Sequence, residues 1–241
     1  MKSNACNVRR TTTDRLQHPT HGFATFAVFS LLLVAFSACN HAAKQPEAGK
    51  SEKAASSTAS AASTPVAKSV DRKKPVVQIE TSAGIITARL DGEHAPGTVR
   101  NFLNYVGEGF YDNTLIHYVD PNKMIVAGGY SADRKPKFGR TPIRNEAHNG
   151  KKNVRGTIAM ARDASLIDGA TTQFFINLAD APQRDHAGDT PANYGYCVFG
   201  EVTEGLDVAE KISQAPTTNA GGDLAQTPDP AVTIKSIRVV R

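Results

Sequence analysis

The sequence predicts a mainly β domain, a closed barrel or a sandwich of about eight short strands with two helices. Three observations carry that expectation. Short β-branched runs recur from Val76 to the end of the chain with turn residues between them, only two segments have helical periodicity, and no phosphate-cradling Gly-rich loop with its Lys appears. No internal repeat is visible either.

The elements follow in order. VVQIET (76–81) and IITARL (85–90) are strand runs separated by Ser82, Ala83 and Gly84, a hairpin layout. In TVRNFLNYVGEG the apolar residues Val99, Phe102, Leu103 and Val106 recur at helical spacing, Thr98 is placed to cap the start and Gly107 to end it. LIHYV and MIVAGG flank a Pro-Asn turn, and TIAMA from Thr157, QFFIN from Gln173 and YCVFGEV from Tyr196 continue the strand series. LDVAEKIS from Leu206 is the second helix, with Leu206, Ala209 and Ile212 on one face, and VTIKSIRVV from Val232 is the last strand. Two helices suffice to cap the open ends of a barrel.

The chain has 241 residues, more than the usual domain of about 100 to 200. The excess lies at the start. FATFAVFSLLLVAF (23–36) is uncharged, follows Lys2, Arg9, Arg10 and Arg15, and precedes small residues, the layout of a secretory signal. It falls short of the about 20 apolar residues of a comfortable membrane span. The run ends in FSACN, which resembles a bacterial lipobox with Phe36 where Leu is usual, so that Cys39 becomes the lipid-modified first residue of the mature protein. An ordinary cleaved signal with an incidental Cys is the alternative. Of the three cysteines, Cys6 leaves with the signal, Cys39 carries lipid, and Cys197 has no partner for a disulfide. The organisation expected is a signal over 1–38, an Ala/Ser/Lys-rich tether over 39–74 that is too poor in large apolar residues to fold, and one domain over 75–241.

Charge divides at the same boundary. Before Pro75 lie 11 of the 28 basic and 4 of the 23 acidic residues, leaving the domain 17 basic against 19 acidic, a net of −2. The alkaline isoelectric point belongs to the leader and tether, so nothing in it points to nucleic acid.

RGTIAMAR, TTQFFIN and GYCVFGEV resemble the cyclophilins, the peptidyl-prolyl cis-trans isomerases, and most closely the periplasmic ones of Gram-negative bacteria. NFLNYVGEGFYDNT, NEAHNG and VTEGLDVAEKIS extend the resemblance in the same order, so that it covers essentially all of 75–241. It implies an eight-stranded antiparallel closed β-barrel capped by two α-helices. It also implies a reaction in which an X-Pro amide rotates over a barrier of roughly 18 to 20 kcal/mol with no bond made or broken. Such a reaction needs a dry pocket for the proline ring, groups that hold the flanking peptide, and a cation near the prolyl nitrogen. It requires no cofactor and no metal.

The family pattern F-H-R-V, then P-x-F-M-I-Q-G-G-G, reads here as IHYV and PNKMIVAGG. By the resemblance, His117 and Met124 match. Tyr118 stands at the catalytic Arg, Lys123 at the pocket Phe, and Val126 at the Gln that orients the Arg and the substrate. Phe175 matches the aromatic floor of the proline pocket, Gln173 the peptide-binding Gln, Ala161 a small groove residue, and Tyr196 a position held by His or Tyr. In APQRDH, Gln183 and Arg184 replace an aromatic and a Leu, and Arg184 and Lys123 are the two candidates to return a cation to the groove. A neutral Tyr hydroxyl in place of five charged donors implies a weakened catalyst.

Blander readings apply to several residues. Met124 and Phe175 are ordinary core residues without the resemblance, and Cys197 most simply points inward as a small apolar group rather than forming a nucleophile pair with His117. Asp185, His186 and Asp189 lack the spacing of a zinc site. The tether's Lys residues are solvating charges, with weak attraction to anionic lipid as the lesser reading. Two functions are expected on one fold: an isomerase acting on X-Pro bonds of exported proteins, or a barrel that holds proline-containing segments without useful catalysis. Either is a periplasmic monomer anchored through Cys39, and Asn40 after it favours the outer membrane.

Overall fold

The computed structural model describes residues 73–241; the signal, Cys39 and nearly all of the tether lie outside them. Strands β1 (Val76–Thr81), β2 (Gly84–Leu90), β3 (Thr114–Asp120), β4 (Met124–Ser131), β5 (Thr157–Met160), β6 (Phe174–Asn177), β7 (Val198–Glu204) and β10 (Thr233–Val239) form one closed barrel. Their order is β1-β10-β3-β4-β6-β5-β7-β2, with β2 returning to pair β1, and every pairing is antiparallel. Closure therefore decides between the two architectures the strand count allowed, and it leaves no exposed sheet edge. Two further strands, β8 (Thr217–Thr218) and β9 (Thr227–Pro228), make a small separate pair.

Alternation explains the barrel. In β1, Val77, Ile79 and Thr81 are buried while Gln78 and Glu80 are exposed, and in β2 Ile86, Ala88 and Leu90 are buried while Ile85 is not. The inward residues form the main core together with the apolar faces of helices α1 (Pro96–Gly107) and α2 (Leu206–Ser213). Phe102 of α1 meets Phe174 edge-on at 5.4 Å, and Tyr111 meets the same ring edge-on at 5.5 Å.

Helix α2 begins and ends with the segment LDVAEKIS, but α1 starts two residues before the expected cap. Thr98 lies inside the helix and is fully buried. Capping comes instead from Glu146, whose carboxylate accepts from the Gly97 N–H at 3.0 Å, the Thr98 N–H at 2.8 Å and the Thr98 hydroxyl at 2.7 Å. Pro96 at the first turn has no N–H to satisfy, so this one side chain answers the donors that follow it.

The β8–β9 excursion packs back over β3. The Val119 N–H donates to the Gln226 carbonyl at 2.9 Å, and the Thr227 hydroxyl donates to the His117 carbonyl at 2.8 Å. These bonds give the β3 backbone partners beyond the short stretch that β10 pairs, and Asp223 is brought alongside it. Among the described residues no helix is long and apolar enough to cross a membrane.

Candidate active site

Strand pleating divides the site from the core. In β4 and β6, Ile125, Ala127, Phe174 and Ile176 belong to the main core, whereas the alternate residues Val126 and Phe175 join a second apolar cluster with Ala159 and Val198. Register aligns that cluster: Tyr118 faces Val126, Val126 faces Phe175, Phe175 faces Ala159, and Ala159 faces Val198. The result is a row across five strands on the outer wall of the barrel, with Met124, Ala161 and Tyr196 packed against it.

Beside this row opens a groove of about 530 Å³, lined among others by His117, Tyr118, Val126, Ala161, Gln173 and Asp223. Gln173 lies flat on β4 because Gly129 has no side chain; a Cβ there would meet the Gln173 amide carbon at 2.6 Å. Tyr118 is half-buried, and its hydroxyl makes no hydrogen bond among the described residues.

The site residues expected from sequence thus fall into three groups. His117, Tyr118, Val126, Ala161 and Gln173 line the open groove. Phe175, Met124 and Tyr196 pack together in the adjoining cluster, with the Phe175 and Tyr196 rings 5.7 Å apart edge-on. Lys123 is not brought to either: it sits in the β3–β4 turn with its ammonium 3.3 Å from Asp120 and two-thirds exposed.

Arg184 does reach the cluster. Its guanidinium stands 5.4 Å from the centroid of the Phe175 ring, and Nη1 donates to Asn177 Oδ1 at 3.3 Å. Two buried amides fix its backbone: Asn153 Nδ2 donates to the Arg184 carbonyl at 3.0 Å, and Asn177 Nδ2 donates to Asn153 Oδ1 at 3.2 Å. Sequence reasoning passed over Asn153 and Asn177, whose partners lie some distance along the chain. It also passed over Arg162, which lines the groove but gives its donors to the backbone carbonyls of Asp163, Ala164, Leu166, Pro191 and Gly195. Arg162 therefore spends its donors on pinning loops, while its guanidinium, which makes no ion pair among the described residues, keeps its positive charge at the groove wall.

His117 offers no cation. It is buried, its Nδ1 has no hydrogen-bond partner, and its ring lies 4.9 Å from that of Tyr130. Burial pushes the imidazole down to about 4, against the pull of Asp223, the Leu115 backbone and Gln173. The fold thus binds fewer protons here than the unfolded chain, so this contribution to stability is complete above the ordinary value of 6.5 and is lost as pH falls toward about 4. The loss through His117 amounts to about 3 kcal/mol over that window. Thermal unfolding from pH 7 to pH 4 checks it: His117→Gln has the shallower pH slope, and parallel slopes in the two proteins would refute the assignment.

The remaining candidates serve the scaffold. Cys197 is in the main core, and burial pushes its thiol up to about 12, so it is no nucleophile at neutral pH. Asp185 accepts from the Asn153 N–H at 2.7 Å and pairs with Lys152 at 3.5 Å, while His186 Nδ1 lies 3.0 Å from the Tyr194 carbonyl.

The fold and the groove define a closed antiparallel β-barrel protein whose candidate active site lies on the barrel's outer wall, between strands rather than inside them. Residues 76–239 match the family described as cyclophilin type peptidyl-prolyl cis-trans isomerase/CLD, and the chain belongs to that family of enzymes. Among its relatives, peptidyl-prolyl cis-trans isomerase A of Dickeya dadantii is 45% identical over 165 residues, 68% of this chain and 84% of that one. Peptidyl-prolyl cis-trans isomerase B of Escherichia coli is 43% identical over 164 residues, 68% of this chain and 99% of that one. In fold, the chain is similar to the crystal structure of a cyclophilin type isomerase of Cryptosporidium parvum, with a TM-score of 0.59 at 24% identity over 70% of this chain and 98% of that one. A second structure of that protein, determined in the presence of the dipeptide Ala-Pro, gives a TM-score of 0.58 at 23% identity over 69% and 99%.

Proposed function

We propose that the chain isomerises X-Pro bonds in exported proteins at a reduced rate, from a lipid anchor at Cys39 that holds it in the periplasm, on the outer membrane. The observation that carries the reduced rate is Tyr118. It faces the groove beside Val126, where rotation of an X-Pro amide calls for a charged donor near the prolyl nitrogen. Binding groups are present in Gln173, Ala161 and the Phe175 cluster, so peptide is held while the rotation is only weakly assisted. The leader and the FSACN sequence support the anchor and the address.

The test is a prolyl isomerisation assay on the full chain beside Escherichia coli isomerase B, with peptide binding measured in parallel. The expected rate is about 100 to 1000-fold below that relative, by analogy with lost oxyanion donors, with binding retained. Equal rates would overturn the reduced activity, and binding with no catalysis at all would make the chain a holding module. Fractionation of cells carrying Cys39→Ala checks the anchor, which predicts a shift from the membrane to the soluble fraction.

A further inference from the structure

Arg184 is held differently from four other arginines of the domain. Arg89, Arg140 and Arg155 are paired with Glu201, Glu108 and Glu210, and Arg162 is bonded to five carbonyls. Arg184 has five N–H donors and uses one, toward Asn177, while its guanidinium carbon stands over the Phe175 ring at 5.4 Å from the centroid; among the described residues it makes no ion pair. It is half-buried against an apolar cluster that contains no carboxylate. A cation in that position is poorly solvated and incompletely bonded.

Its place has a second consequence. The Phe175 ring is 3% exposed and does not line the open groove. A proline ring that rests on the face of Phe175 toward Arg184 must displace the guanidinium, which stands 5.4 Å from the ring centroid. The Arg184 backbone is fixed, because its N–H donates to Ala181 at 2.9 Å and its carbonyl accepts from Tyr196 at 2.9 Å and Asn153 at 3.0 Å. Only the side chain is free to swing. A bidentate, charge-assisted pair with a carboxylate is stronger than the ring contact and one long amide bond that it would give up.

We propose that Arg184 makes the groove selective for proline segments that carry an acidic side chain within about two residues of the proline, the reach of an extended chain beside the pocket. With the groove empty the guanidinium covers Phe175. When such a segment enters, the guanidinium turns to the carboxylate and uncovers the ring for the proline. Neutral segments must displace it with nothing in return. The inference rests on the reading of this groove as a prolyl-peptide site.

The experiment uses the full chain and a blocked peptide Ala-Ala-Pro-Ala-Ala in which Glu, or its isostere Gln, replaces each flanking Ala in turn. Binding and isomerisation are measured for the native protein, Arg184→Leu and Arg184→Lys, at low and high salt, with thermal unfolding confirming that the variants are folded. At the best position the native protein prefers Glu over Gln by about 10-fold, and added salt weakens that preference. Arg184→Leu binds Gln peptides more tightly than the native protein does and loses the Glu preference, while Arg184→Lys keeps part of it. Equal binding of Glu and Gln peptides by the native protein overturns the inference and leaves the prolyl-peptide reading intact. Failure of every peptide to bind overturns both.

Discussion

Tyr118→Arg raises kcat/KM for X-Pro isomerisation by on the order of 100-fold while changing peptide affinity little. The native side chain faces the groove at the end of the row that runs through Val126 to Phe175, and its hydroxyl is uncommitted. Twisting the amide localises a lone pair on the prolyl nitrogen, and a guanidinium stabilises that twisted state more than the planar one. A neutral phenol does so weakly. Val126, opposite Tyr118, has no polar atom with which to hold a new guanidinium, so adding Val126→Gln is expected to raise the rate further. Exchange kinetics on one X-Pro peptide decide the matter. If Tyr118→Arg leaves kcat/KM unchanged, the groove already has its cation, supplied by Arg162 in its wall or by Arg184 beside the Phe175 cluster.

Glu146→Ala is expected to destabilise the domain by about 2 to 4 kcal/mol, combining loss of a helix cap with unsatisfied buried donors. The carboxylate reaches α1 from a loop far along the chain and takes two N–H groups and one hydroxyl, and Ala95 at the helix start offers no side chain of its own. A negative charge at this end also suits the helix dipole. The midpoint of thermal unfolding falls by about 5 to 15 °C, and Glu146→Gln, which retains an acceptor, falls less. Isomerase activity per folded molecule stays unchanged, because α1 packs into the main core and not against the outer row. A midpoint within a degree or so of the native one would mean that water caps the helix equally well.

Most of the barrel was legible in the sequence because each strand is a short alternating run bounded by turn residues, and α2 because its apolar stripe has helical spacing. Closure is not written in periodicity, which describes a strand's two faces and says nothing of which strand it pairs; the resemblance to the cyclophilins implied it, and β2 returning to β1 bears it out. Strands β8 and β9 escaped notice because two residues carry no period. Thr98 misled for a similar reason: it has the chemistry of a cap, but the partner that satisfies the helix comes from Glu146, which no local pattern reveals. In the site, the departures at Tyr118, Lys123 and Val126 were visible as letters, while their outcomes depended on register and turn geometry. Lys123 and Arg184 were both candidates on paper, Arg184 the first of them; the turn hands Lys123 to Asp120, whereas the Asn153 and Asn177 amides aim Arg184 at Phe175.

The outer row and the main core are separate apolar clusters that share strands but not side chains. The residues that fill the interior and those that line the site are therefore different sets, placed alternately along the same β4 and β6. Replacements at Tyr118, Val126 or Arg184 leave the interior packing untouched. Substitutions in the outer row can therefore alter what the groove does to a bound peptide while the packing that holds the barrel together stays as it is.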